Sequence, residues 1–350
     1  MSNVISDDRI KVSIMNTGKQ SIQVCTNCVL PETFPGIRFN DAGICNFCLD
    51  YKKGKEPLEK KTEYKLRFET LLKEHRGGSC YDVIMCYSGG KDSSYTLSLL
   101  KENYGLRILA MSFDNGFLSR QAIVNIRTIV ERLGVDHIFF KPRSDVFTRI
   151  VRHCAQHNIY PPKALERASA ICTSCIGMVK YTALRLSLEK DIPFIAFGWS
   201  PGQAPISSSV MKTNPLLAKT MQKTLYDPLY KIAGDDIKPY FLEEKHFSGS
   251  YSFPYNIHPL ALMDYNEERI FHTISALGWK APEDVDANST NCRLNSFANV
   301  IHKQQFGFHP YAFEMANLVR EGYLERDIAL EKLNRQENPE LVKTIGEEIG

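Results

Sequence analysis

At 350 residues, with 43% hydrophobic and 24% charged positions, the chain has the profile of a globular protein with a substantial core, which excludes disordered and fibrous classes. A net charge of +3 neither demands nor excludes a nucleic-acid partner, since a local patch can act where the total is small. No run of about 18 apolar residues is present, so no transmembrane helix and no membrane partner are expected.

Residues 1–20 read as a loose leader. They carry scattered charges (Asp7, Asp8, Arg9, Lys11 and Lys19) and no apolar stretch of the kind a secretory signal needs. The expected location is therefore cytoplasmic, where thiols stay reduced and ten cysteines point to metal or redox chemistry before disulfides. Residues 21–50 hold two close pairs, Cys25 with Cys28 in "CTNC" and Cys45 with Cys48 in "CNFC". Two such pairs separated by a segment containing Pro31, Pro35 and Gly43 predict a four-thiolate zinc module. With four protein ligands that site has no open position, so its expected role is to fold a segment too short for a core of its own. Residues 51–80 are rich in lysine and glutamate and read as a charged helix or linker.

From residue 81 to 205 short apolar runs alternate with helical patterns. "YDVIMCY", "RILAMSFD", "DHIFFKP" and "IPFIAFG" predict strands. "SSYTLSLLKENYG" and "SRQAIVNIRTIVERLG", each closed by a glycine, and a stretch around Met178 to Glu189 predict the intervening helices. This alternation implies an α/β domain with a doubly wound parallel sheet. Residues 206–350 read as a mixed, mostly helical substrate region, with a helix over about Tyr265 to Leu277 and a helical tail from Ser296 to Glu348.

"CYSGGKDSSYTL" follows the first strand directly. A Gly-Gly turn between a strand and a helix lets backbone N–H groups approach a phosphate, with the helix N-terminus behind them. Lys91 adds a cation, Ser88 and Ser93 add hydroxyls, and Asp92 suits magnesium or the helix N-terminus. The pattern differs from G-x-x-x-x-G-K-[ST], which disfavours a P-loop kinase or GTPase.

"SGGKDSS", residues 88–94, resembles the SGGxDS signature of the PP-loop ATP pyrophosphatase superfamily, over roughly residues 81–200. The resemblance implies an ATP-binding domain that cleaves ATP to AMP and pyrophosphate while adenylating a substrate oxygen. Ser88, Gly89, Gly90, Lys91, Asp92 and Ser93 would hold the pyrophosphate. The end of the second strand, Ala110 to Asp114 with Ser112 between them, would line the adenine pocket. Many members of that superfamily are dimers, so a homodimer is implied as well.

A second cysteine set lies in "ICTSCIGM", Cys172 and Cys175, at or just before a helix start, and in "STNCRLN", Cys292. Two cysteines three apart with a distant third resemble the triad of tRNA 2-thiolation enzymes of this superfamily. There, three thiolates hold a 4Fe–4S cluster and leave one iron open for sulfur. Cys172 and Cys175 are alternatively a dithiol carrying a persulfide, or structural. Where the thiolation enzymes carry a GHxxDD-type motif, this chain reads "FGWSPGQAP", residues 197–205. The opening "CTNCVLPETFPGIRFNDAGICNFC", with "LGWKAPEDVD" and "LVREGYLERDIALEKL", is similar to the N-acetyl sugar amidotransferase group, whose members take ammonia from a separate glutaminase.

The expected function is therefore ATP-dependent, AMP-forming sulfur transfer to an adenylated carbonyl oxygen. Lys91, Asp92, Cys172 and Cys175 act, Mg2+, Zn2+ and a 4Fe–4S cluster serve as cofactors, and a sulfur donor serves as partner. The acceptor is a tRNA or a small metabolite such as a sugar. The alternatives are an amidotransferase fed by a glutaminase, and a non-catalytic nucleotide- or RNA-binding protein. Cys80, Cys86 and Cys154 read as core cysteines, and His258, His302 and His309 as satisfied core or surface histidines. Lys141 and Arg143 read as surface charges, Phe117 and Trp199 as packing. Glu283 to Asn291 is either a polar loop or part of a substrate pocket.

Overall fold

The apolar runs that begin at residue 83 assemble into one sheet. The computed structural model describes residues 22–51, 55–286 and 288–350, so the leader expected over 1–20 lies outside the described residues. In chain order the elements begin with α1 (Asn46–Leu49), α2 (Lys55–His75), β1 (Val83–Cys86) and α3 (Lys91–Ser98), the last extended by a π-helical turn over Leu99–Asn103. There follow β2 (Ile108–Phe113), α4 (Arg120–Leu133), β3 (Asp136–Phe140), α5 (Ser144–Gln156), α6 (Ala170–Glu189) and β4 (Phe194–Phe197). Then come β5 (Val210–Lys212), α7 (Pro215–Ala233), β6 (Tyr255–Ile257) and α8 (Glu267–Ala276). The chain closes with α9 (Leu294–Phe306), α10 (Ala312–Glu321), α11 (Arg326–Asn334) and α12 (Pro339–Ile349).

The strand order is β3-β2-β1-β4-β6-β5, parallel throughout except for β5, which runs antiparallel to β6. Both faces of the sheet are covered. Ile84, Leu109, Met111 and Ile195 pack with α5, α6, α9 and α12, while Val83, Met85, Ala110 and Phe194 pack with α2, α3, α4 and α8. Burial on both sides explains why β1, β2 and β4 read as unbroken apolar runs rather than alternating ones. The strand order reverses between β1 and β4, the place where α/β sheets bind ligands beyond their carboxyl ends.

The sheet continues past residue 205, because β6 pairs onto β4 and β5 onto β6. Each is three residues long, too short to show a period in the sequence. Helix α6 begins at Ala170, well before the expected Met178, because the Ser169 hydroxyl accepts from the Cys172 N–H and caps the first turn. A third core joins residues 25–45 to α10 and α11 through Phe34, Phe308, Met315 and Ala329.

Candidate nucleotide and thiol site

The turn after β1 is held from several directions at once. Gly89 adopts φ +76°, and a Cβ there would lie 2.7 Å from the Ala122 carbonyl oxygen, so the position requires glycine. The Gly89 carbonyl accepts from the buried Trp279 indole at 2.9 Å. Ser88 and Ser93 bond to each other at 3.0 Å, and Ser93 donates to the Gly90 carbonyl. Gly90 is the N-cap of α3, which places the Lys91 N–H at a helix N-terminus, where it donates to the Thr290 hydroxyl at 2.9 Å. That hydroxyl occupies the position from which an anion oxygen would accept.

Two cavities, of about 290 and 320 Å³, share Ser88, Ser93, Gly198 and Trp199 as wall. Lys91 and Asp92 lie in the larger one. The Lys91 ammonium donates to the Asp92 carboxylate at 2.9 and 3.0 Å and to the Tyr265 hydroxyl at 2.9 Å, and stands 3.2 Å from Glu267. Burial works against its charge, but Asp92, Tyr265 and Glu267 outweigh it and hold the ammonium well above its ordinary range. Glu314 of α10 faces the same cavity and accepts from the Ser200 hydroxyl at 2.6 Å. Burial pushes its carboxyl up to about 7, with the Ser200 bond opposing and the nearby Asp92 charge adding.

Cys172, Cys175 and Cys292 all line the smaller cavity. The first two stand on the first turn and a half of α6. Cys292 arrives from far along the chain because residues 291–293 pair with 117–119: Ser119 N–H donates to the Asn291 carbonyl and Arg293 N–H to the Phe117 carbonyl. Burial pushes Cys172 up to about 12 and raises Cys175 and Cys292 as well, so these thiols hold their protons until a cation replaces them. Three thiols on one cavity are a donor set of the kind an iron–sulfur cluster takes.

Cys25, Cys28, Cys45 and Cys48 have their sulfurs within 4.8 Å of one another, and none is in a disulfide. Cys28 N–H and Cys45 N–H point at the Cys25 sulfur at 3.4 and 3.2 Å. The interaction with Cys28 pulls Cys48 down to about 4 against the effect of burial, with Asn27 and the Arg320 guanidinium adding. Four soft donors at this spacing fit a tetrahedral metal ion.

The structure brings the residues of the turn and both cysteine sets to defined sites, but Ala110, Ser112 and Asp114 do not face the cavity. Its wall at β2 is Met111, Phe113 and Asn115. Ala110 packs on the opposite face, Ser112 donates to the Tyr87 carbonyl, and Asp114 accepts from Gly116 N–H and pairs with Lys141 at 3.5 Å. Within the expected stretch Ala110 to Asp114, alternation along the strand turns Met111 and Phe113 to the cavity and the residues between them away from it.

Of the remaining expectations some change and some hold. Cys80 is exposed, because it sits in the loop before β1, and Cys86 lines the cavity, whereas Cys154 is buried. His309 accepts from Tyr311 N–H, but Nδ1 of His258 and both nitrogens of His302 are buried without a partner among the described residues. Lys141 and Arg143 are surface charges, and Phe117 packs on Phe147. Trp199 lines both cavities, stacked on His258 at 4.7 Å with the Lys180 ammonium 4.4 Å over its ring. The loop from Glu283 to Asn291 is part of the pocket, through Ser289, Thr290 and Asn291. Glu314, Asn115, Tyr265 and Glu267 belong to no motif, so no signal in the sequence marked them.

No protein-family model matches the chain. It is similar to an uncharacterized protein of Methanocaldococcus jannaschii, 25% identical over 330 residues that cover 93% of this chain and 97% of that one. Among solved structures it is similar to the U34-tRNA thiolase NcsA of Methanococcus maripaludis with its 4Fe–4S cluster, with a TM-score of 0.36, 18% identity and 86% of each chain covered. It is also similar to the NMN synthetase of Francisella tularensis, with a TM-score of 0.38, 12% identity, and 86% of this chain and 97% of that one covered.

Proposed function

We propose that the protein is an ATP-dependent, AMP-forming enzyme of the PP-loop kind that adenylates an acceptor carbonyl oxygen and replaces it with sulfur. The observation that carries this reading is the continuity of the site: the glycine turn at the helix N-terminus and three thiols on two distant segments line one pair of adjoining cavities. An amidotransferase would share the adenylation half but gives the three cysteines at the acceptor side nothing to do.

In the first half-reaction the acceptor oxygen attacks the α-phosphorus and pyrophosphate leaves. The Gly90 and Lys91 N–H groups and the Ser88 and Ser93 hydroxyls bind the departing phosphates and the Lys91 ammonium offsets their charge, while Asp92 would hold Mg2+, which supplies further charge neutralisation when bound. In the second, sulfur attacks the activated carbon and AMP carries the oxygen away. A proton released from the acceptor or from hydrosulfide passes to the Glu314 carboxylate, whose affinity near neutrality suits it to accept and return a proton. Cys172, Cys175 and Cys292 would hold a 4Fe–4S cluster, which with three protein ligands supplies one open iron for the incoming sulfur. Cys25, Cys28, Cys45 and Cys48 would hold structural zinc. The acceptor is a tRNA or a small metabolite, and the sulfur comes from a separate donor.

The test is metal and acid-labile sulfide analysis of protein purified without oxygen, with pyrophosphate and AMP release measured alongside. About four iron and about one zinc per chain are expected, with the iron alone lost in Cys172→Ala and Cys292→Ala. Zinc without iron, together with pyrophosphate release that responds to ammonia and ignores sulfide, would overturn sulfur transfer in favour of amidation.

A further inference from the structure

We infer that Asn115 is a positioning residue of the three-cysteine centre, its single side-chain amide donating one hydrogen to each of two sulfurs, Cys175 and Cys292. The inference rests on the reading of that centre given above and concerns how its three ligands differ.

The Asn115 Nδ2 lies 3.7 Å from the Cys175 sulfur and 3.6 Å from the Cys292 sulfur. An amide nitrogen carries two hydrogens, so its donor capacity matches the two acceptors. Its orientation is set by the backbone. The Oδ1 atom accepts from the Phe117 N–H at 2.9 Å, and a flipped amide would oppose two N–H groups there while turning oxygen toward both sulfurs. Asn115 is 9% exposed, so water competes little for either bond. The residue also joins two segments of remote sequence, since Cys175 comes from α6 and Cys292 from the strand-like pairing beside Phe117.

Cys172 is treated differently. Its sulfur faces the Asn295 Oδ1 at 3.8 Å, an acceptor, and that oxygen also accepts from the Tyr311 hydroxyl at 3.4 Å. Two sulfurs of the centre therefore meet a donor and the third meets a carbonyl oxygen. Hydrogen bonds to ligand sulfur stabilise the more negative state of an iron–sulfur centre and raise its potential. Removing the Asn115 donors lowers it.

The experiment compares wild type with Asn115→Asp and Asn115→Leu after anaerobic reconstitution, reading iron, labile sulfide and midpoint potential. Asn115→Asp keeps the size and the acceptor for Phe117 N–H while losing both donors, and so guards against a folding defect. Loaded variants with potentials shifted negative, Asn115→Asp furthest, are the expected result. A wild-type potential in either loaded variant overturns the inference. Should wild type hold no iron, the sulfur-transfer reading falls by itself. The amide is then read in the metal-free protein, from iodoacetamide labelling resolved by mass at each cysteine. Slower labelling of Cys175 and Cys292 relative to Cys172 in Asn115→Asp supports it, and unchanged ratios overturn it.

Discussion

A methyl group added at Gly198 would fall 2.5 Å from the Cα and 2.7 Å from the backbone nitrogen of Ser93. The end of β4 thus presses directly on the start of α3 behind the glycine turn, and only hydrogen fits between them. Gly198→Ala is expected to lose about 1–3 kcal/mol of stability through overpacking and to lose ATP-dependent pyrophosphate release even where it remains folded. Thermal unfolding and a pyrophosphate assay separate the two effects, and normal release would show that the turn tolerates displacement. Glu314 acts through charge. Burial places its folded-state affinity at about 7 against 4.5 ordinarily, so the folded protein holds a proton there that the unfolded chain releases. The stability tied to that proton is complete below 4.5 and is lost as pH rises through about 7. Wild type should therefore lose stability relative to Glu314→Gln between pH about 4.5 and 7. Turnover should rise through pH about 7 in wild type and lose that rise in the variant; a parallel pH profile in both would remove Glu314 from the proton transfer. Nothing in "YAFEMANLVREG" marks this residue, because its role comes from what α10 faces.

Helix α10 connects the four-cysteine module to the cavity. One residue before Glu314, Phe313 stacks on Phe34 of the module at 5.5 Å. Near its end, the Arg320 guanidinium points at the Cys48 sulfur at 3.8 Å, and Arg326 at the start of α11 donates to the Cys25 and Cys28 carbonyls at 2.8 and 2.9 Å. Stripping the metal from this module should therefore lower turnover as well as the melting temperature, although no cysteine of the module reaches the cavity. Arg320→Ala is expected to weaken metal retention by about tenfold or more, as loss of a ligand's hydrogen-bonding partner does. A competition assay with a chromophoric chelator measures it, and unchanged retention would leave the arginine a buried packing contact. At this scale the sequence was legible where local physics decides. The strand, turn and helix around "SGGKDSS" and the glycine stop of α4 at Gly134 stand where their residues place them. Strands β5 and β6 were not legible, since three residues form a strand only when a neighbour supplies the ladder.

Across the whole molecule, the loop through Ser289 to Cys292 touches both halves of the site. Thr290 accepts from the Lys91 N–H, and Cys292 lines the thiol cavity two residues later. Under the proposed function, a nucleotide phosphate that took the Lys91 N–H would displace the Thr290 hydroxyl and so pull on the loop that carries Cys292. A non-hydrolysable ATP analogue should change the alkylation rate of Cys292 in the metal-free protein while leaving exposed Cys80 unchanged. Equal rates with and without the analogue would show that the loop stays put. The α/β alternation, the glycine turn at the end of β1 and the two cysteine sets were legible in the sequence alone, because each depends on spacing along a few consecutive residues. Only the tertiary structure decided which face of β2 lines the cavity, since an all-buried strand carries no polar alternation to give its phase. It alone brought Cys292 beside Cys175 under one amide, and Glu314 opposite Lys91, because such contacts arise from packing between segments whose separation in the chain carries no local signal.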